Sequence, residues 1–359
     1  SLTTGRLRDQ WHGMSRTGTL GRLFGHVPEP TVHMHPQDMA RRGFEQGDLV
    51  NVSSKRGTLV VPVQANDEVG LGQLFMAMHW GSEYLSGMGA NGLPLAGVNA
   101  LTTSAHCPTS RQPEFKHAAV RLDKTSLPWT LLALGWVPDD QAHTVREALR
   151  RLMPQFAFAT CVPFGRDRSG VLFRAAAAQA PDAQLLDTIE ALLGLDRSDT
   201  LRYADARQGQ RRAVRLVRNP AQADAADPHS GVTLDAFLLA GDTRSQAWIK
   251  TLLQEELPAG TYGRQLLQPR SQAPTAWAGT VQTGSPQVCT CFNVSEASID
   301  QLLARCPGTP GERLATLQAD LKCGTNCGSC LPQLKKRIAL VVAPTAQGET
   351  GPAAVAVPA

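Results

Sequence analysis

The strongest constraint on this chain is where its cysteines lie. Of eight, Cys289, Cys291, Cys323, Cys327 and Cys330 crowd into the last fifth, while Cys107, Cys161 and Cys306 are scattered. A disulfide framework spreads its cysteines through a short secreted chain. Tight Cys-x-Cys and Cys-x-x-Cys pairs instead suit thiolate ligands of a metal, in a reducing compartment. One pair stands in Val288-Cys289-Thr290-Cys291-Phe292-Asn293, the other in Gly324-Thr325-Asn326-Cys327-Gly328-Ser329-Cys330. Two short helices are expected between them. Ser295 can cap the first, which turns Ile299, Leu302 and Leu303 inward and stops at Pro307-Gly308. Pro310 can open the second, with Leu314, Leu317 and Leu321 on one face. A third helix follows Pro332.

Four thiolates can hold two irons and two bridging sulfides, with net negative charge left over. Gly324, Gly328 and Ser329 are small enough for backbone N–H groups to approach the sulfurs. The third helix points its positive end toward Cys327 and Cys330, and Lys322, Lys335 and Lys336 add positive charge nearby. Such donors raise a cluster's reduction potential. On spacing alone a structural zinc site stays open, because it too uses four thiolates. The Cys-x-Cys pair is less usual in zinc ribbons and favours iron. Cys323 is expected to be a non-ligand beside the site, and Cys306 a buried small residue.

The 359 residues suffice for two or three domains. A formal charge of +4 makes no strong case for nucleic acid. No apolar run approaches the roughly 20 residues that span a bilayer; the longest, around 127–137, contains Pro128 and Gly135. The opening Ser1-Leu2-Thr3-Thr4-Gly5 lacks an initiator Met and the features of a signal peptide, so a fragment or processed chain is expected. No P-loop, Gly-x-Gly-x-x-Gly or nucleophile elbow is present, and no metal role is expected for His33 and His35.

Residues 1–122 read as one β-rich unit. A helix is expected from Pro36 to Gly43, a strand over 49–53, a hairpin turn at Arg56-Gly57, a returning strand over 58–63 and a further strand within 72–79. Short strands with Gly turns suggest a closed barrel. Residues 123–267 form an α+β middle region, with strands near 129–137, 156–162, 171–175, 213–217 and 233–239 and helices near 144–152, 182–193 and 245–257. Residues 268–285 read as a linker, 286–342 as the Cys-rich unit, and 343–359 as a disordered tail. The fold class expected is multidomain: a β-rich barrel, an α+β middle and a small all-α iron–sulfur domain.

Two families are resembled. Residues 288–294 and 324–332 resemble the bacterioferritin-associated-ferredoxin type of 2Fe–2S domain, which implies Cys289, Cys291, Cys327 and Cys330 as ligands. Thr4-Gly5-Arg6, Trp11-His12, Asp38 with Gly43 and Gly47-Asp48, His79-Trp80, Asn99-Ala100-Leu101-Thr102 and the closing 110–116 resemble the molybdopterin-dinucleotide-binding domain of the dimethyl-sulfoxide-reductase superfamily. That implies a six-stranded double-psi barrel and cofactor contacts at Thr4, Gly5, Arg6, Trp11, His12, Asn99 and Lys116. Relatives often have Asp-Pro where this chain has Cys107-Pro108, a departure that puts a nucleotide contact there in doubt. The order of parts resembles the large subunit of assimilatory nitrate reductases, as do Arg211-Arg212-Ala213-Val214, 237–243 and Ala247-Trp248. These middle motifs also resemble a small C-terminal module of flavin disulfide reductases, with an architectural role.

The resemblance implies molybdopterin guanine dinucleotide (Mo-bis-MGD) and a 2Fe–2S cluster, with a 4Fe–4S cluster and the molybdenum ligand N-terminal to the barrel. Nitrate is then the substrate, reduced to nitrite in the cytoplasm. The electron donor is a reductase or a ferredoxin or flavodoxin, with no nucleic acid or membrane partner. The chain alone is expected to be inactive. The alternatives are another molybdopterin oxidoreductase, such as a formate dehydrogenase, or a non-enzymatic zinc-stabilised binding module.

Overall fold

The computed structural model describes residues 1–10, 20–88, 94–95, 97–112, 117–219, 224, 227, 229–277 and 285–341. Trp11, His12, Lys116 and the segment 343–359 lie outside them. The chain divides into two compact units, residues 1–284 and 285–359.

In the first unit, a seven-stranded mixed sheet is drawn from the opening stretch. Its strands are β1 (Leu2–Gly5), β2 (Val32–Met34), β3 (Leu49–Ser53), β4 (Thr58–Ala65), β5 (Leu74–Ala77), β8 (His117–Ala118) and β9 (Arg121–Lys124), in the order β8-β1-β5-β2-β4-β3-β9. β1 runs parallel to β5 and β2 parallel to β4, while the other pairings are antiparallel. Apolar residues alternate inward along β3 and β4, burying Val50, Val52, Leu59, Val61 and Val63. Helix α1 (Pro36–Arg42) starts on Pro36, is capped by the His35 ring and ends at Gly43, as its sequence implied.

An eight-stranded sheet carries the middle region. It contains β10 (Trp129–Trp136), β11 (Phe158–Phe164), β12 (Gly170–Ala177), β13 (Leu201–Asp205), β14 (Gln210–Arg218) and β15 (Val232–Ala240). Two strands of the opening stretch, β6 (Leu85–Met88) and β7 (Pro94–Leu95), complete it in the order β13-β14-β15-β10-β12-β11-β6-β7. Strands β10, β11 and β12 read as nearly continuous apolar runs, broken in β12 by Arg174, because both faces are covered. Helices α2 (Ala142–Leu152) and α3 (Ala183–Leu192) pack over one face through Leu149, Leu186 and Ile189. Helix α4 (Gln246–Gln254) joins the other core, which continues into the first sheet, through Trp248, Ile249, Leu252 and Leu253. A short α5 (Gly263–Leu267) follows.

The second unit has β16 (Gln287–Cys289) and β17 (Val294–Ser295), then α6 (Glu296–Leu303), α7 (Pro310–Asp320) and α8 (Leu331–Leu340). It is therefore not purely helical as expected. The Cys289-Thr290-Cys291 turn reverses the chain, Asn293 takes a positive φ of 56°, and the two strands pair antiparallel. Ser295 caps α6 through the Ser298 N–H. Thr309 and Glu312 form a reciprocal capping box on α7. The buried Arg313 joins all three helices: its guanidinium donates to the carbonyls of Ile338 at 3.0 Å, Val341 at 2.7 Å and Leu303 at 3.1 Å.

Candidate functional site

Two places gather the residues singled out by sequence. The first is in the Cys-rich unit. Cys289 ends β16, Cys291 lies in the turn that follows, Cys327 is in the loop after α7, and Cys330 is the N-cap of α8. Across 36 residues, the Sγ atoms of Cys291 and Cys327 come within 3.3 Å. Cys289 and Cys330 are buried in the unit's apolar core beside Val288, Leu334 and Ile338, and Cys291 packs against it. Cys289 and Cys330 are thus shielded, while Cys327 is open to solvent. Ser329 Oγ lies 3.1 Å from the Cys327 sulfur. All eight cysteines are free thiols.

Cys323 shares that core, and its thiol donates to the Leu317 carbonyl at 3.4 Å. Burial, followed by the nearby Cys289, pushes the Cys323 thiol up to about 11. Cys306 is buried, with its sulfur toward the Pro307 carbonyl. Among the described residues, no three His, Cys, Asp or Glu side chains surround a single point as ligands of one ion. The sulfur-only donor set fits a two-iron centre.

The second place is one end of the seven-stranded sheet. The Met78 N–H donates to the Gly5 carbonyl at 2.8 Å, where β1 and β5 end side by side. Two residues on, the Trp80 carbonyl accepts from the Val98 N–H at 3.0 Å. This chain of backbone bonds draws Thr4-Gly5-Arg6, His79-Trp80 and the turn Val98–Leu101 together. Thr4 is buried, while Arg6 and Asn99 are exposed. Gly5 has no room for a side chain, because a Cβ would meet the Phe75 ring at 2.8 Å. Trp80 is fully enclosed against Phe24 and Tyr84, so it packs rather than faces a ligand. Cys107 sits in an exposed loop, where hydrogen bonds from Ser110 and Thr109 lower its thiol.

The comparisons with known proteins fall on these same two places. Residues 1–119 match the family model of the Molydopterin dinucleotide binding domain, and residues 287–339 match the BFD-like [2Fe-2S] binding domain. A nitrate reductase of Klebsiella oxytoca is 31% identical over 346 residues, covering 95% of this chain and 34% of that protein. Over most of its length the chain is therefore similar to part of a nitrate reductase. A nitrate reductase of Shewanella frigidimarina (strain NCIMB 400) is 28% identical over 145 residues, 35% of this chain and 15% of that one. The chain therefore spans 34% or less of the length of these curated relatives. Among solved structures, acetylene hydratase from Pelobacter acetylenicus aligns over 22% of this chain and 11% of its own, at 18% identity and a TM-score of 0.20, a likeness that carries no argument. No helix among the described residues is long and apolar enough to cross a membrane.

Neither the Thr309–Glu312 capping box nor the Arg313 junction was drawn from the sequence. The first has a readable signal in Thr309-x-x-Glu312 ahead of an apolar run. The second shows only as an Arg four residues before Leu317, on the buried face of α7.

Proposed function

We propose that this chain is the cofactor-binding and electron-relay part of a molybdenum-dependent assimilatory nitrate reductase that converts nitrate to nitrite in the cytoplasm. The observation that carries the reading is the meeting of the Cys291 and Cys327 sulfurs beside the buried Cys289 and Cys330. In this reading those four residues ligate a 2Fe–2S cluster, and Cys323 does not. The seven-stranded sheet corresponds to the family's six-stranded double-psi barrel. Thr4, Gly5, Arg6 and Asn99, gathered at one end of that sheet, contact the molybdopterin guanine dinucleotide together with Trp11, His12 and Lys116. The domain division is 1–122, 123–267, 268–285, 286–342 and 343–359.

When bound, the cluster supplies one-electron transfer and the pterin-held molybdenum supplies two-electron reduction. The chain's own residues position and insulate. Val288, Leu334 and Ile338 keep water from Cys289 and Cys330, which strengthens every charge interaction there. The start of α8, with Cys330 as its N-cap, turns backbone N–H groups toward negative charge. A 4Fe–4S cluster in another part of the enzyme, and a reductase, ferredoxin or flavodoxin as donor, complete the scheme. The eight free thiols suit a reducing compartment.

Iron and acid-labile sulfide analysis of anaerobically purified protein tests this directly. The expected result is two irons and two sulfides per chain at the Cys-rich unit, lost in Cys327→Ser and kept in Cys323→Ser. Zinc without sulfide, or cluster loss only in Cys323→Ser, would refute the assignment.

A further inference from the structure

The middle region bears no chemistry of its own in this scheme, yet it grips the opening stretch beyond the pairing of β11 with β6. Two of these contacts fall on Gly21 and Glu29, and a third reaches Phe24 through Tyr84; residues 20–29 follow the segment containing Trp11 and His12.

Gly21 lies so close to the end of β11 that a Cβ would collide with the Phe164 carbonyl. Phe24 is enclosed by Trp80 and Tyr84, at ring separations of 6.1 and 5.7 Å, and the Arg146 guanidinium of α2 lies 5.7 Å from the Tyr84 ring. Glu29 is clasped by Arg174 of β12, with Nε to Oε1 at 2.6 Å and Nη2 to Oε2 at 3.0 Å. The third arm of Arg174 reaches Gln246 Oε1 on α4 at 2.6 Å, and Lys250 Nζ stands 3.7 Å from the same carboxylate.

The clasp is a forked, charge-assisted pair between residues 145 apart in sequence. Burial alone would raise the Glu29 carboxyl. Arg174 and then Lys250 outweigh it and bring the group to about 2. Burial lowers the Lys250 ammonium despite Glu29, whereas Arg174 is raised by its pairing. Arg174 is therefore the stronger partner. From the other side, Gln10 donates its amide to the Leu23 carbonyl at 3.0 Å. The strip fixed in this way includes Phe24, which packs on Trp80, and the Trp80 backbone holds the turn bearing Asn99.

We propose that the middle region is the brace of the cofactor site: Arg174, acting through Glu29, positions residues 20–29 and so the rim formed by Gly5, His79 and Asn99. Arg174 is a positioning residue that touches no cofactor atom. The proposal rests on the proposed function above for what the rim binds.

The test compares wild type, Arg174→Met, Arg174→Lys and Gln246→Ala, each purified with its native cofactor. Three readings are taken: amide hydrogen exchange of peptides within 7–30, retained pterin dinucleotide per chain after dialysis, and the global melting temperature. Losing one partner of a buried forked pair is expected to speed exchange in 20–29 on the order of 100-fold, with β10 and β15 peptides unchanged. Retained pterin should fall at least several-fold in Arg174→Met. Arg174→Lys keeps the charge without the fork, so it should fall between. Gln246→Ala, the mildest change, keeps the test open if Arg174→Met does not fold. Exchange equal to wild type overturns the brace. Faster exchange with unchanged pterin retention overturns the positioning role. Wild type that retains no pterin refutes the proposed function instead, and with it the purpose of the brace, while the exchange data still report whether the clasp exists.

Discussion

Arg313→Met should strip the Cys-rich unit of its central fastening. The guanidinium makes three bonds to backbone carbonyls of α6, α8 and the residue after α8, while its Nε has no partner. Hydrogen bonds from a charged group contribute about 1.5–3 kcal/mol each. The three share one buried charge whose desolvation opposes them, and Met keeps the apolar stem packed. About 3 kcal/mol is then the expected net loss. A unit of roughly 60 residues has about 3–9 kcal/mol of stability to lose, at ~0.05–0.15 kcal/mol per residue. Visible absorbance of the bound iron–sulfur centre during thermal unfolding reports this unit alone. The midpoint should drop by about 12–24 °C, at ~4–8 °C per kcal/mol for a domain this small. Arg305→Met is the control: Arg305 is exposed and its Nε bonds only the Gln301 carbonyl at 3.2 Å, so its effect should stay within about 0.5 kcal/mol. Equal shifts for the two variants, or none for Arg313→Met, would refute the view that one guanidinium ties the three helices together.

Thr309→Ala removes the hydroxyl that caps α7 and should lower the same midpoint by the equivalent of about 1 kcal/mol, while the Glu312 carboxylate keeps its bond from the backbone N–H of residue 309. Asp235→Asn leaves the buried Arg215, which the carboxylate holds through Nε at 3.1 Å, without its counter-charge; calorimetry should show a loss of about 3–5 kcal/mol in the first unit. Acid should weaken the Glu29 clasp. With its carboxyl brought from 4.5 to about 2 in the folded chain, the group contributes stability above its unfolded value, and this is lost as pH falls from about 4.5 toward 2. Denaturant titrations across that window should show Glu29→Gln losing about 3 kcal/mol less than wild type; parallel pH profiles would count against the clasp.

The elements legible in the sequence are those whose pattern is local. The helix from Pro36 to Gly43, the hairpin around Arg56-Gly57 and the apolar strands β10, β12 and β15 all fall within a residue or two of where spacing puts them. β13 was missed because it is an edge strand: Leu201 is 39% exposed and only β14 pairs with it, so neither alternation nor a continuous apolar run marks it. β6 and β7 sit in a Gly-rich stretch and are strands only because β11 offers an edge to β6. The close thiol pairs were legible for a different reason, since their spacing is itself a local pattern. What spacing left open was the choice among five cysteines, and the Cys323 bond to Leu317 is a tertiary fact.

The middle region shows why a chain can be half understood from its sequence. Its conspicuous charged residues are spent inside the fold. Arg212 holds Ser245 Oγ and the Asp242 and Leu266 carbonyls; Arg211 and Arg202 share Glu190; Arg168 and Arg215 share Asp235; and Arg174 reaches out to Glu29. In sequence, Arg174, Arg215 and Asp235 are lone charges interrupting apolar runs, as in Leu172-Phe173-Arg174-Ala175. A lone charge in such a run predicts that a partner exists, because an unpaired buried charge is too unfavourable to persist. It does not name the partner, which for Arg174 lies 145 residues away. The organisation of this region therefore belongs to pairings rather than to motifs, and at Arg174 such a pairing leaves the middle sheet for the opening stretch.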